Sequence, residues 1–203
     1  MAAPIKAQLF GHLFVSCLKD FIRSKDELNY LLGLQLGTMV QFNGFPGARA
    51  RSLIGKMEFI SDYSPAILVL LVGTNDLYED VSVESIEEQI CDIVYEAISN
   101  MKVAKVIVCQ VLHRCEPTIR TRFPENLNWF NARVDKLNSS LNTTLKSRFP
   151  NKAFLWRMKG FWSPETKNKN FASDGCHLSD DGQFKLLSNI RAATVKPLLF
   201  VRQ

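Results

Sequence analysis

Two short stretches of this sequence carry the residue types of acid–base catalysis. Near the carboxyl end, DGCHLS places the carboxyl group of Asp174 three residues before the imidazole of His177. An imidazole can act as a general base near neutral pH, and a carboxylate can hold it in the required orientation. Earlier, GTND offers the side-chain amide of Asn75 as a hydrogen-bond donor. A carboxylate and an imidazole at this spacing suit general acid–base catalysis, and the amide adds a polar group able to bind an oxygen atom.

Two further stretches combine glycines with the ends of apolar segments. GFPG contains Gly44 and Gly47 and follows the second predicted strand as a turn-rich stretch. Near the amino end, an apolar segment runs into Gly11-His12-Leu13 and then into a helical pattern. In many α/β hydrolytic enzymes the nucleophile lies at such a strand-to-helix turn. Leu13 has no nucleophilic atom, and this raises the question of how the chain could perform such chemistry.

Each of these residues also has a purely structural interpretation. Asp174 could cap a turn through its side chain, and Asn75 could be a turn former, since Asp and Asn are favoured in turns. Gly44 and Gly47 could serve only to form a turn. Leu13 could be a core residue at the start of a helix, or an apolar plug in a former pocket.

The hydrophobic pattern predicts strands that alternate with helices. The predicted strands cover residues 5–11, 38–42, 66–73, 105–111 and 153–156, and the predicted helices cover residues 14–23, 48–60, 83–101, 126–149 and 180–196. The run AILVLLVG is continuously apolar, which is typical of a strand buried on both faces of a parallel sheet. The pattern therefore predicts an α/β protein, a three-layer α/β/α sandwich around a five-stranded parallel sheet.

This architecture places the candidate residues at one edge. Ligands of open parallel sheets bind outside the carboxyl ends of the strands. The segments that follow the predicted strands are therefore candidates for the site: 11–14, 43–47, 73–76 and 112–115, together with the loop that carries Asp174 and His177.

The four stretches, in this order, resemble the four sequence blocks of the SGNH, or GDSL-type, hydrolase and esterase superfamily. The resemblance covers about residues 9–187. It implies an SGNH-hydrolase (flavodoxin-like) fold and ester hydrolysis as the ancestral activity. By motif, His177 matches the catalytic base, Asp174 its orienting carboxylate and Asn75 the side-chain oxyanion donor. Gly47 matches the amide donor, with Gly44 as the less favoured alternative.

The first block departs from the family pattern. The family's Gly-Asp-Ser aligns with Gly11-His12-Leu13, so that leucine replaces the serine nucleophile. Ser16 lies about one helical turn further on, which would place its hydroxyl roughly 5 Å from the required point. The resemblance therefore implies an enzyme that is weak or inactive.

Three functions stay open at this point. The favoured one is a degenerate serine hydrolase that retains His177, Asp174 and the oxyanion elements and binds a small ester or an acyl-bearing ligand. The second is an active carboxylic-ester hydrolase with a non-standard nucleophile or an activated water, or a variant of an active Gly-His-Ser parent. The third is a nucleic-acid-associated domain, because esterase-like domains also resemble parts of some retroelement-encoded proteins.

Length and composition indicate which class of protein this is. A length of 203 residues suits one domain spanning 1–203, and a net charge of +5 with scattered Lys and Arg does not favour nucleic-acid binding. The apolar run at 65–72 is too short to span a membrane. Five cysteines without a CxxC pair indicate reduced thiols in a cytoplasmic protein. His12 and His113 are interpreted as polar loop residues, and no cofactor or metal site is expected.

Overall fold

The computed structural model describes residues 4–28, 32–34, 37–78, 81–119, 126–163 and 169–201. The strands are β1 (Ile5–Gly11), β2 (Thr38–Gly44), β3 (Ile67–Leu71), β4 (Lys105–Cys109) and β5 (Ala153–Trp156). The helices are α1 (Leu13–Arg23), α2 (Ala50–Ile54), α3 (Glu58–Tyr63), α4 (Val83–Ser99), α5 (Leu127–Arg148) and α6 (Asp180–Val201), with a short 3₁₀ turn at Asp76–Tyr78.

The strands form one parallel sheet in the order β2-β1-β3-β4-β5. This confirms the predicted five-stranded parallel sheet and its flanking helices. Gly11 at the end of β1 is level with Gly44 of β2 on one side and with Leu71 of β3 on the other. The register therefore brings the carboxyl ends of these three strands together at one edge.

Two apolar cores cover the two faces of the sheet. Side chains of β3 alternate between them, since successive strand residues point to opposite faces: Leu68 and Leu70 belong to one core, and Ile67, Val69 and Leu71 to the other. The first core packs against α2, α4 and α5, and the second against α1 and α6. All five residues of β3 are buried, as its continuously apolar sequence predicts.

One predicted helix is wrong. Residues 48–60 do not form a continuous helix but divide into α2 and α3. Gly55 ends α2, and the amide of Lys56 donates to the carbonyl of Leu53 in a tighter turn. Glycine is a poor helix former, which explains an interruption that the apolar spacing alone does not reveal. None of the described helices is both long and apolar enough to cross a membrane.

Candidate active site

The turn after β1 depends on a close approach between two strands. A Cβ atom on Gly11 would overlap the carbonyl oxygen of Leu71, so this position accepts only glycine. The amide of His12 donates to the same carbonyl at 2.9 Å. Helix α1 begins at the next residue, Leu13, whose side chain is half-buried. Leu13 therefore occupies the strand-to-helix turn at the edge where the sequence predicted it.

His12 is a buried helix cap and not the polar loop residue that the sequence indicated. Its Nδ1 accepts a hydrogen bond from the amide of Phe14 at 3.3 Å at the start of α1. Burial, reinforced by the positive charge of Arg114, lowers the pKa of His12 to about 3. The ring is therefore neutral near pH 7, as its role as an acceptor requires.

Asn75 and Gly47 lie on two turns that are hydrogen-bonded to each other. We call residues 73–76 the oxyanion turn, after the role that the resemblance implies for Asn75. The Asn75 side-chain nitrogen donates to the carbonyl of Ala48 at 2.8 Å, and the amide of Ala50 donates to the carboxylate of Asp76 at 3.0 Å. An amide nitrogen carries two hydrogens, so Asn75 retains a second donor. The structure thus places Asn75 against the turn that carries Gly47.

Gly44 has a packing role. A Cβ atom on Gly44 would overlap the backbone nitrogen and the hydroxyl oxygen of Ser16 in α1. Gly47, by contrast, has a φ of +73° and open space where a side chain would stand. The close contact with α1 accounts for glycine at position 44 by packing alone.

Asp174 and His177 form the pair that their spacing predicted. One carboxylate oxygen of Asp174 accepts the amides of Cys176 and His177, each at 2.9 Å, and the other hydrogen-bonds to Nδ1 of His177. The carboxylate therefore both caps the turn and orients the ring. Burial alone would raise the pKa of Asp174, but the hydrogen bonds to His177 and the two amides outweigh it and lower this pKa. An ionised Asp174 favours the tautomer with hydrogen on Nδ1, which leaves Nε2 as a proton acceptor.

The segment carrying this pair, residues 171–178, is here called the base loop. An isolated bridge joins Phe171 to Leu178, and the amide of Ala172 donates to the carbonyl of His177 at 2.8 Å. Gly175 has a φ of +67°, and a Cβ atom there would overlap the carbonyl oxygen of Cys115. The loop is therefore closed on itself and packed against the segment that follows β4, while the His177 side chain stays 46% exposed.

Sequence reasoning missed Arg114 as a residue of this site. Its side chain is only 4% exposed, and it donates to the carbonyl of Cys176 at 2.6 Å and to the hydroxyl of Thr74 at 3.1 Å. The available signal was its position in the 112–115 segment after β4, which was expected at the same edge. Arginine is mostly found on protein surfaces, so its residue type did not indicate that Arg114 would be buried.

A family profile provides the decisive comparison. The profile of the GDSL-like Lipase/Acylhydrolase family matches residues 23–183, which is most of the chain. The chain belongs to this family. The match begins after Leu13 and includes Gly47, Asn75 and His177. No curated protein matches the chain.

Solved structures show the same GDSL-family fold at low sequence identity. A GDSL-like lipase from Bacteroides thetaiotaomicron is 20% identical with a TM-score of 0.69, and the match covers 97% of this chain and 92% of that one. A catalytic mutant of an acetylxylan esterase from Geobacillus stearothermophilus is 13% identical with a TM-score of 0.65, and the match covers 95% of both chains. These likenesses support the SGNH-hydrolase fold.

The thiols of Cys17 and Cys176 are not activated as nucleophiles. Burial and the neighbouring Asp20 raise the pKa of the Cys17 thiol. Burial also raises the pKa of Cys176, and Arg114 only partly offsets this. A raised pKa leaves less of the nucleophilic thiolate at neutral pH. Within the described ranges, no group of three or more His, Cys, Asp or Glu residues could hold a metal ion.

Proposed function

We propose that this GDSL-family chain is an esterase-like pseudoenzyme: a serine-hydrolase domain with its base and oxyanion groups in place and leucine in the nucleophile position. The observation that carries this proposal is the position of Leu13, the first residue of α1 directly after β1. The link from Cys176 through Arg114 to Thr74 supports a single site, because it ties the segment before His177 to the turn that carries Asn75. A leucine side chain offers no lone pair to attack an acyl carbon, so the covalent step has no nucleophile there.

The proposed roles follow from the contacts. His177 accepts a proton at Nε2, and Asp174 holds its ring through Nδ1. The second amide hydrogen of Asn75 and the backbone amide of Gly47 face the developing oxyanion. The ligand we propose is a small ester or an acyl-bearing molecule. This class fits the family and the fold shared with an acetylxylan esterase, itself solved as a catalytic mutant with serine changed to alanine.

Nearby hydroxyl and thiol groups do not replace the missing serine in this proposal. Ser16 lies against the backbone of Gly44, where α1 crosses the end of β2. Cys17 and Cys176 have raised pKa values. A triad without its nucleophile retains only the modest catalysis that comes from binding and the oxyanion donors.

The decisive experiment restores the nucleophile. We expect the unmodified protein not to hydrolyse a short-chain p-nitrophenyl ester. We expect Leu13→Ser to raise the rate of hydrolysis by roughly 10³-fold or more. Adding His177→Ala should abolish the gain. Leu13→Ala is the matched control, because it opens the same space without adding a hydroxyl, and it should stay silent. A Leu13→Ser protein that neither turns over ester nor reacts with a fluorophosphonate would overturn the proposed geometry.

The second candidate is an active carboxylic-ester hydrolase. It is favoured by the intact Asp174–His177 pair, whose exposed imidazole could activate water or another nucleophile. This candidate predicts that the unmodified protein hydrolyses the ester and that His177→Ala removes the activity. Equal rates for these two proteins would exclude a role for His177 and so count against the candidate.

A further inference from the structure

We propose that Arg114 is a positioning residue that ties the base loop to the oxyanion turn, so that His177 and Asn75 keep a fixed separation. This inference rests on the proposed function, because it assigns Arg114 a part in that same site. Nothing in the motifs of the family blocks identified above assigns a role to this residue.

The contacts of the guanidinium reach both halves of the site. One terminal nitrogen donates to the carbonyl of Cys176, the residue directly before His177. The other donates to the hydroxyl of Thr74, the residue directly before Asn75. A guanidinium is a rigid planar fork, so these two bonds set the distance between the two segments in a way that a flexible ammonium could not.

Arg114 is itself held at several points. The Asn131 side chain accepts the amide of Arg114 at 2.8 Å and donates to its carbonyl at 3.1 Å. The guanidinium carbon lies 5.7 Å from the ring centre of Tyr78 and 5.6 Å from that of Phe130. Because its backbone is hydrogen-bonded to Asn131 and its guanidinium lies against two aromatic rings, the Arg114 side chain has little freedom to move.

Packing alone does not explain why a positively charged arginine is buried at position 114. Among the residues that the structure describes, no carboxylate pairs with Arg114, and its Nε is buried without a hydrogen-bond partner. Burial of a charge without a counter-charge is unfavourable, and an apolar side chain would fill the space between the rings without that penalty. The directed bonds to the carbonyl and sulfur of Cys176 and to the hydroxyl of Thr74 are what an apolar residue would lose.

The kinetic test uses Leu13→Ser as the parent enzyme. We expect Arg114→Met to lower kcat by about 10- to 100-fold with little change in KM, because a displaced base or oxyanion donor chiefly affects the transition state. Arg114→Lys should restore little, because one ammonium cannot span both partners. Asn138→Ala is the matched control: it removes two buried hydrogen bonds to the backbone of Val111, three residues before Arg114, and removes no hydrogen bond of Arg114 itself. It should lower thermal stability but leave kcat within about threefold.

A second readout needs no nucleophile. In the unmodified Leu13 protein, Arg114→Met should speed amide hydrogen exchange at Cys176 and His177 more than Asn138→Ala does, at matched global stability. If Leu13→Ser is inactive but exchange behaves as expected, the proposed function fails and the positioning role stands. If Arg114→Met matches the Asn138→Ala control in both exchange and kcat, Arg114 is merely structural and this inference is wrong.

Discussion

At the scale of single residues, His12 makes the stability of this protein depend on pH. Its imidazole stays neutral in the folded chain because burial and Arg114 lower its pKa to about 3, whereas an unfolded chain binds the proton near the ordinary value of 6.5. The unfolded state therefore binds more protons between these values. The contribution of His12 is fully present above pH 6.5 and is lost progressively as the pH falls toward 3.

His12→Asn tests this linkage, because asparagine is a good helix cap that does not titrate. As the pH falls from 6.5 to 5, we expect the unmodified protein to lose up to about 1.4 kcal/mol per pH unit relative to the variant. Urea unfolding of both proteins at pH 7, 6 and 5 measures the difference. Parallel pH profiles would contradict this expectation, because they would mean that the pKa of His12 is the same in the folded and unfolded states.

Residue-level prediction from sequence succeeded where the contact is local. Asp174 and His177 are three residues apart, so one turn of chain is enough to join the carboxylate to the ring. Arg114 meets Cys176 across 62 positions and Thr74 across 40. Such a contact depends on how three loops pack after the sheet has formed, and no local spacing encodes it. The buried position of His12 escaped prediction for the same reason.

At the scale of elements, the contact between Gly44 and Ser16 sets how closely α1 approaches the end of β2. Gly44→Ala should push α1 outward and lower the free energy of unfolding by about 1–3 kcal/mol, the usual cost of overpacking. Gly55→Ala is the control, because the nearest atom to its added Cβ would be 3.6 Å away and its φ is −69°. It should be neutral or stabilising by a few tenths of a kcal/mol. Equal losses for the two variants in thermal unfolding would contradict the close contact.

The elements themselves were largely predictable. Strand β1 and strand β5 have the predicted bounds, because turns or charged residues interrupt the apolar pattern sharply at their ends. The division between α2 and α3 was not predicted, since the apolar residues on either side of Gly55 keep a helical spacing. Periodicity reports which face is buried, whereas the break depends on the local backbone preference of one glycine.

At the scale of the whole molecule, the order of strands determined where to look for a site. The rule that ligands bind at the carboxyl edge of a parallel sheet predicts a site among the segments around Leu13, Gly47, Asn75 and His177, and the register brings the ends of β1, β2 and β3 level at that edge. The rule gives the location of a site but not the reaction that takes place there. The roles of these residues therefore rest on the proposed function. The cytoplasmic location and the single-domain organisation stay predictions from composition.

The charge distribution over the whole surface leads to the last prediction. Although the net charge is +5, basic side chains are interspersed with acidic partners, as in the exposed pairs Lys136–Glu84 at 2.6 Å and Arg148–Glu88 at 2.7 Å. Phosphate-driven binding needs cations gathered on one face and is strongest at low salt. We therefore expect no complex with single- or double-stranded DNA or RNA at about 50 mM salt by fluorescence anisotropy.

A complex that survives at about 200 mM salt would instead require several phosphate contacts on one basic surface. That result would favour the nucleic-acid-associated domain over the esterase-like pseudoenzyme. Repeating the titration with Leu13→Ser would then separate the two functions, because a surface that binds phosphates away from the strand-to-helix turn should be indifferent to residue 13.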